Sequence, residues 1–336
     1  MSTKKRLLLN NTGRRVWVWF LLCVLIFVYF NNSSLFVQSG SRKPKLLAHR
    51  GLAQTFDMEG VTNETCTAER IHPPEHPYLE NTIPSMRAAF AAGADVVELD
   101  VHLTADDQFA VFHDWTLDCR TEGTGVTRDY TMAKLKQLDV GYGYTADGGK
   151  TFPFRGKGVG LMPSLDEVLS TFPDRSFLIH VKSEDPEEGV KLAKRLSALP
   201  QEHRKRLSVY GGDQPIKTLH RHLPDVRVMS RETMKDCLIP YIGIGWTGVV
   251  PSACEQTQLH IPEKIAPWLW GWPDRFMERM DRAGTRVILV AGSGGFSEGF
   301  DTGEALNRLP SGYSGWIWTN RIDRIAPRVK GEGDSD

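Results

Sequence analysis

From Lys45 onward the chain alternates short apolar runs of strand length with segments that carry helical signals. Residues 45–49, 95–101, 109–113, 176–181, 207–210, 226–229, 286–291 and 315–319 read as eight strands. Residues 82–92 read as a helix capped near Asn81 and Thr82 and ended by Gly93. Helix starts with cap residues stand at 131–138 and 164–169, and 187–199 is amphipathic and stopped by Pro200. Residues 215–222 and 272–283 complete the helical set. Strands alternating with helices argue for a parallel α/β architecture. Eight units in roughly 280 residues fit a single (β/α)8 TIM barrel, with a doubly wound sheet as the alternative. His49-Arg50-Gly51 follows the first strand where a dinucleotide fold would carry G-x-G-x-x-G, which weighs against that alternative. Two stretches, 52–79 and 235–267, are longer than ordinary barrel loops and read as inserted lids or decorations.

A second feature lies ahead of the barrel. Residues 16–30 are fifteen apolar residues in a row, preceded by Lys4, Lys5, Arg6, Arg14 and Arg15. A spanning helix needs about 20 residues, and extension through Leu35-Phe36-Val37 supplies them. The basic flank predicts a cytoplasmic N-terminus, and Trp17, Trp19 and Tyr29 stand near the two ends, where aromatic belts lie. A cleaved secretory signal and a buried core helix are the rival readings; no A-x-A-like site follows Phe30. Anchor and signal alike place the barrel on the non-cytoplasmic side, periplasmic or extracellular/lumenal. The expected segments are a basic flank 1–15, a transmembrane signal-anchor 16–37, a linker 38–44, a barrel domain 45–329 and a polar tail 330–336.

Composition excludes several other classes. Lys plus Arg and Asp plus Glu both number 41, so the net charge is zero, and a dedicated nucleic-acid binder would usually be basic. A mean hydropathy of −0.32 excludes a polytopic membrane protein. Five cysteines are too few for a disulfide scaffold. Cys23 lies in the apolar run; the other four face an oxidising compartment on either topological reading. The preferred pairing is Cys66 with Cys119 and Cys237 with Cys254, one of three connectivities, and four free buried thiols is the other reading.

The candidate chemistry gathers at strand ends, which in a barrel converge on one face. His49 and Arg50 end the first strand, Glu98 and Asp100 lie in the second, His113 and Asp114 end the third, and His180 and Lys182 end the fourth. Residues two apart share a face, so Glu98 pairs with Asp100 and His180 with Lys182. Two carboxylates on one strand suit an oxygen-seeking divalent cation. Histidines beside them suit proton transfer, and Arg50 and Lys182 suit an anionic group. Taken singly, each of these residues has an equally ordinary reading as a helix cap or a satisfied buried hydrogen bond.

These residues resemble the glycerophosphodiester phosphodiesterase family. The carriers are Leu46-Leu47-Ala48-His49-Arg50-Gly51, Glu80-Asn81-Thr82, Val97-Glu98-Leu99-Asp100-Val101 and Val111-Phe112-His113-Asp114. Leu117-Asp118-Cys119-Arg120-Thr121 with Gly123 and Gly125, Met162-Pro163-Ser164-Leu165-Asp166-Glu167, and Gly315-Trp316-Ile317-Trp318-Thr319-Asn320-Arg321 continue the likeness. It spans about residues 45–325 and is strong to residue 182. The resemblance implies a barrel enzyme that hydrolyses a glycerophosphodiester to an alcohol and glycerol phosphate. It implies His49 and His113 as the general acid/base pair, Arg50 and Lys182 as phosphate ligands, and Glu98 and Asp100 as metal ligands. Supporting roles behind the metal fall to Glu80, Asn81 and Asp114. Attack by the substrate's own glycerol hydroxyl and attack by water both remain open.

The chain departs from the family's pattern at His180, where the family usually carries a Glu as third metal ligand. His180 is expected to coordinate; the other reading is a hydrogen bond to substrate or to a neighbouring carboxylate. One divalent ion is expected, Mg2+ or Ca2+, with Mn2+ possible, and an imidazole ligand should weaken Ca2+ relative to the others. Gly292-Ser293-Gly294-Gly295 reads either as backbone amides offered to a phosphate or as a flexible turn. Trp246, Trp268, Trp270 and Trp272 crowd the second long segment and read as packing, or as an apolar rim facing a bilayer. The expected partners are therefore a glycerophosphodiester or lysophospholipid and the membrane, with no nucleic acid; the oligomeric state is not set. A lysophospholipase D and a non-catalytic phosphodiester-binding barrel are the alternatives.

Overall fold

The computed structural model of the chain describes residues 3–37, 43–62, 65–295 and 298–331. Among the described residues nine strands follow the N-terminal helix: β1 Lys45–Ala48, β2 Val96–Leu103, β3 Phe109–Val111, β4 Phe177–Val181, β5 Leu207–Gly211, β6 Arg227–Met229, β7 Gln258–Pro262, β8 Arg286–Val290 and β9 Trp316–Thr319. Eight of them run parallel in the order β6-β5-β4-β2-β1-β9-β8-β7. The first strand pairs with the last, Lys45 opposite Trp316 through Ala48 opposite Thr319, which bends the sheet round on itself. At the remaining seam Thr257 Oγ1 donates to Val228 O at 2.8 Å, so β6 and β7 are bridged by a side chain instead of a ladder. This is a nearly closed TIM barrel, and the doubly wound alternative falls.

Strand alternation fixes what faces inward. Leu47, Val96, Leu178, Ile288 and Trp318 form a small apolar layer inside the barrel. Counting two residues onward from four of these gives His49, Glu98, His180 and Asn320, and two more from Glu98 and His180 gives Asp100 and Lys182. The apolar layer is the floor, and the polar residues are the next layers toward the C-terminal face. Residues of the opposite parity, such as Val97, Leu99, Ile179 and Val209, point outward into the main core beneath the helices.

Two strand assignments are corrected. Residues 109–113 do not supply a barrel strand: β3 pairs antiparallel with the far end of β2, Val101 opposite Val111. The missing parallel strand is β7, which lies inside the stretch read as a long loop. A fourteen-residue helix, Arg231–Ile244, started by a capping box of Ser230 and Thr233, runs from just ahead of that stretch into it. Pro240 and Gly243 within it, and apolar residues on all sides, hide the helical period.

The other long stretch, 52–79, joins residues 115–162 in a second small core around Leu79, Leu117, Leu135, Tyr144 and Met162. The Cys66–Cys119 disulfide ties the two segments, and Cys237–Cys254 ties the helix Arg231–Ile244 to the turn Ser252–Cys254 ahead of β7, which is the preferred pairing.

The N-terminal helix runs from Thr3 to Asn32, and its stretch Gly13–Asn32 is long and apolar enough to cross a membrane. Leu35, Phe36 and Val37 lie beyond it, because Ser33 caps a separate 3-10 turn, Ser34–Phe36. Gly13 and the basic Arg14 and Arg15 supply the length from the other end. Residues 38–42 of the expected linker and 332–336 of the expected tail lie outside the described residues.

Candidate active site

The turn after β1 places the first two site residues. Arg50 adopts φ 58° and Gly51 φ 84°. A side chain at Gly51 would put its Cβ 2.5 Å from Ser85 Oγ, so the turn can press against the helix Ile83–Ala91 only with glycine there. Gly51→Ala should cost about 1–3 kcal/mol of stability, read by urea titration, with unchanged stability as the contrary result.

His49 stands on a relay. Its Nδ1 is 2.7 Å from Asn320 Oδ1, and Asn320 Nδ2 donates to Asp301 Oδ2 at 2.8 Å. Its Nε2 accepts from Arg50 Nε at 3.0 Å. Burial, then the Arg50 charge, hold His49 well below the ordinary imidazole value. His113 follows β3, and its Nδ1 lies 2.6 Å from Asp114 Oδ1. Asp114 in turn pairs with Arg120 at 2.9 Å, and Arg120 with Glu80 at 3.3 Å. Burial and the Arg50 charge lower His113 as well.

Glu98 and Asp100 are buried at 0% and 1% exposure, side by side on β2. Tyr210 Oη donates to Glu98 Oε1 at 2.8 Å, and the amide of Arg50 donates to Glu98 Oε2 at 3.1 Å. Asn81 donates to Asp100 Oδ2 at 3.0 Å and accepts from the Asp100 amide. Against burial, Lys182 (3.6 Å away), His113 and Arg50 hold Asp100 well below the usual carboxylate range. Burial and the negative charge of Asp100 push Glu98 up to about 8. His180 Nδ1 lies 2.8 Å from Asp100 Oδ1, its ring stacks on Tyr210 at 4.1 Å, and burial lowers it to about 4.

Glu98, Asp100 and His180 present ligand atoms within 4.8 Å of one another. This donor set fits a divalent cation. Two buried carboxylates cannot both carry charge at low cost, and a cation among them relieves that conflict, with a neutral imidazole as third donor.

His49, Arg50, Asp100, His113, His180 and Lys182 all line one cavity of about 720 Å³. Glu80 stands behind it, where its Oε1 receives Arg50 Nη1 at 3.0 Å. Asn81 and Asp114 likewise orient cavity residues. The Gly292–Gly295 loop offers little to a phosphate, since Glu298 Oε2 already accepts from the amides of Ser293 and Gly294. Sequence reasoning missed Tyr210, Asp301 and the orienting part of Asn320. Tyr210 carried a signal, a polar-tipped aromatic near a strand end; Asp301 carried none.

A parallel barrel that gathers acids, bases and imidazoles on its C-terminal face is laid out as a barrel enzyme. Comparison with known proteins says which. Residues 49–214 match the glycerophosphoryl diester phosphodiesterase family. A glycerophosphodiester phosphodiesterase of Caldanaerobacter subterraneus subsp. tengcongensis is 31% identical over 232 residues, covering 63% of this chain and 88% of its own length. A Mus musculus lysophospholipase D is 27% identical over 182 residues, 52% of this chain and 53% of its own. An Oleispira antarctica phosphodiesterase solved with the product sn-glycerol-3-phosphate has a TM-score of 0.53 at 19% identity, covering 87% of this chain and 98% of its own, which is a likeness of fold. The chain belongs to the glycerophosphoryl diester phosphodiesterase family.

Proposed function

We propose that the protein hydrolyses a glycerophosphodiester to an alcohol and glycerol phosphate, with a divalent metal held by Glu98, Asp100 and His180. The observation that carries this reading is that Asp100 and His180 of that cluster line one cavity with His49, His113, Arg50 and Lys182, while Glu98 lies buried beside them. Arg50 and Lys182 bind the diester's anionic oxygens. One histidine accepts the proton of the attacking water or glycerol hydroxyl, and the other gives a proton to the departing alkoxide. Asn320 and Asp114 hold the two rings in the orientation this requires. A bound cation would supply positive charge to the phosphoryl oxygens as negative charge builds there.

The cavity wall formed by Met234, Leu238, Ile261 and Ile265 is apolar, and this favours a lysophospholipase D as the second reading. Hydrolysis of glycerophosphocholine and lysophosphatidylcholine by the full chain separates the two. A kcat/KM at least tenfold higher for the soluble diester supports the first reading, and the reverse ratio the second; turnover of neither leaves a binding barrel.

We also propose that Gly13–Asn32 anchors the protein in a membrane, with the domain 45–329 on the non-cytoplasmic side. The two disulfides in that domain fit an oxidising compartment. The imidazole ligand sets an expectation for the metal. Activity should be higher with Mg2+ or Mn2+ than with Ca2+, and His180→Glu should shift the preference toward Ca2+. Highest activity with Ca2+, unchanged in His180→Ala, contradicts coordination by His180.

A further inference from the structure

We infer that the catalytic domain lies directly against the bilayer through the surface formed by the end of the helix Arg231–Ile244, the turn after it and Trp268. The inference rests on the single-pass anchor proposed above and goes beyond it, because an anchor on a free tether would leave the barrel in water.

The end of the apolar helix is fixed to the barrel at one place. Asn31 and Asn32 both donate to the carbonyl of Trp246, at 3.0 and 2.9 Å. Arg279, buried at 8% exposure, donates to Asn31 O at 2.9 Å and to Asn32 Oδ1 at 3.0 Å. A cation there also suits the negative end of a helix. Arg279 reaches Gly245 O and Tyr241 Oη as well, so the same guanidinium joins the anchor to the helix Arg231–Ile244. The apolar stretch Gly13–Asn32 has twenty residues, about 30 Å at 1.5 Å each, which matches the hydrocarbon thickness. Its end at Asn31 and Asn32 therefore sits at the headgroup boundary, and so do the residues packed around it.

Those residues are what such a boundary selects. Residues 237–254 contain no Asp, Glu, Lys or Arg, and neither do residues 265–272. Ile239 is 64% exposed and Trp268 82%, and Ile242, Ile244 and Val249 are exposed too. Trp270 joins the two segments by donating from its indole to Ile242 O at 2.8 Å. An apolar surface built from two segments that carry no charge, with an exposed tryptophan and continuous with the docked end of a spanning helix, fits the lipid interface. It also lies outside residues 49–214, the part that matches the family. Met234 and Leu238 of the same helix, with Ile265, line the catalytic cavity. The helix thus has lipid on one side and the cavity on the other, which brings an amphiphile's tail from the leaflet to the apolar wall.

The test uses the full chain in phosphatidylcholine–phosphatidylglycerol nanodiscs, with spin labels at Ile242→Cys, Trp268→Cys and, as a control, Lys194→Cys, all in a Cys23→Ser background. The labels at 242 and 268 should show high oxygen and low nickel-complex accessibility, and the control the reverse. In unlabelled protein, Ile239→Glu with Ile242→Glu and Trp268→Glu should raise KM for lysophosphatidylcholine in bilayers at least tenfold and leave glycerophosphocholine hydrolysis within twofold. An integral protein whose labels at 242 and 268 read as aqueous as the control overturns the surface. Release of the native protein by alkaline wash overturns the anchor, and the surface with it. If neither substrate is turned over, the label depths still decide the surface independently of the catalytic reading.

Discussion

Replacing His49 by alanine should lower kcat for glycerophosphocholine by about 10²–10⁴-fold, with KM changed far less, and His113→Ala should do the same. Each ring is held by a side-chain acceptor, Asn320 for His49 and Asp114 for His113. If they act as one acid/base unit, the double variant should be little worse than the worse single one. The pH profile carries a further sign. A general base must be neutral, so activity rises as pH climbs through its value in the free enzyme. Burial and the Arg50 charge lower His49, and burial lowers His113, so the acid limb of kcat/KM should lie below pH ~6.5. A limb above that value, or a His49→Ala enzyme within tenfold of wild type, contradicts this assignment.

Asp100→Asn should be equally severe. The change keeps the side chain's shape and can keep a partnership with Asn81, but it removes the charge that faces Lys182, Arg50 and His180. Loss of a metal-holding carboxylate is worth several kcal/mol of transition-state stabilisation, or roughly 10³-fold in kcat. Metal binding followed by isothermal titration should weaken in step, while the circular dichroism spectrum stays native. Retained activity with lost metal affinity would separate the cluster from the chemistry.

The fold was legible where local chemistry and tertiary role agree. The helix Ile83–Ala91 begins after Thr82, whose side chain accepts from the Ser85 amide, as its sequence predicts. The helix Leu165–Thr171 opens on the Ser164–Glu167 capping box. The mistaken barrel strand at 109–113 was avoidable, since seven residues between Val101 and Phe109 cannot hold a parallel crossover and suit a hairpin. The strand β7 was harder. Its inward Gln258 and His260 break the apolar run, and Pro262 ends it. In the site, strand parity placed Glu98, Asp100, His180 and Lys182 on one face, and His49 was read at its strand end. Beyond Glu80, Asn81 and Asp114, what linear sequence could not supply was the rest of the orienting layer. Asp301 reaches His49 through Asn320, and Tyr210 reaches Glu98 from two strands away around the barrel. Those contacts exist only once the barrel closes.

In the proposed mechanism, metal and histidines act together on a glycerophosphodiester. The most direct measurement is release of glycerol phosphate from glycerophosphocholine by the purified full chain, before and after chelation and after return of Mg2+ or Mn2+. Chelation should abolish turnover and the returned metal restore it in the wild type, but not in His49→Ala. Turnover that persists fully after exhaustive chelation, or none under any metal, contradicts the mechanism.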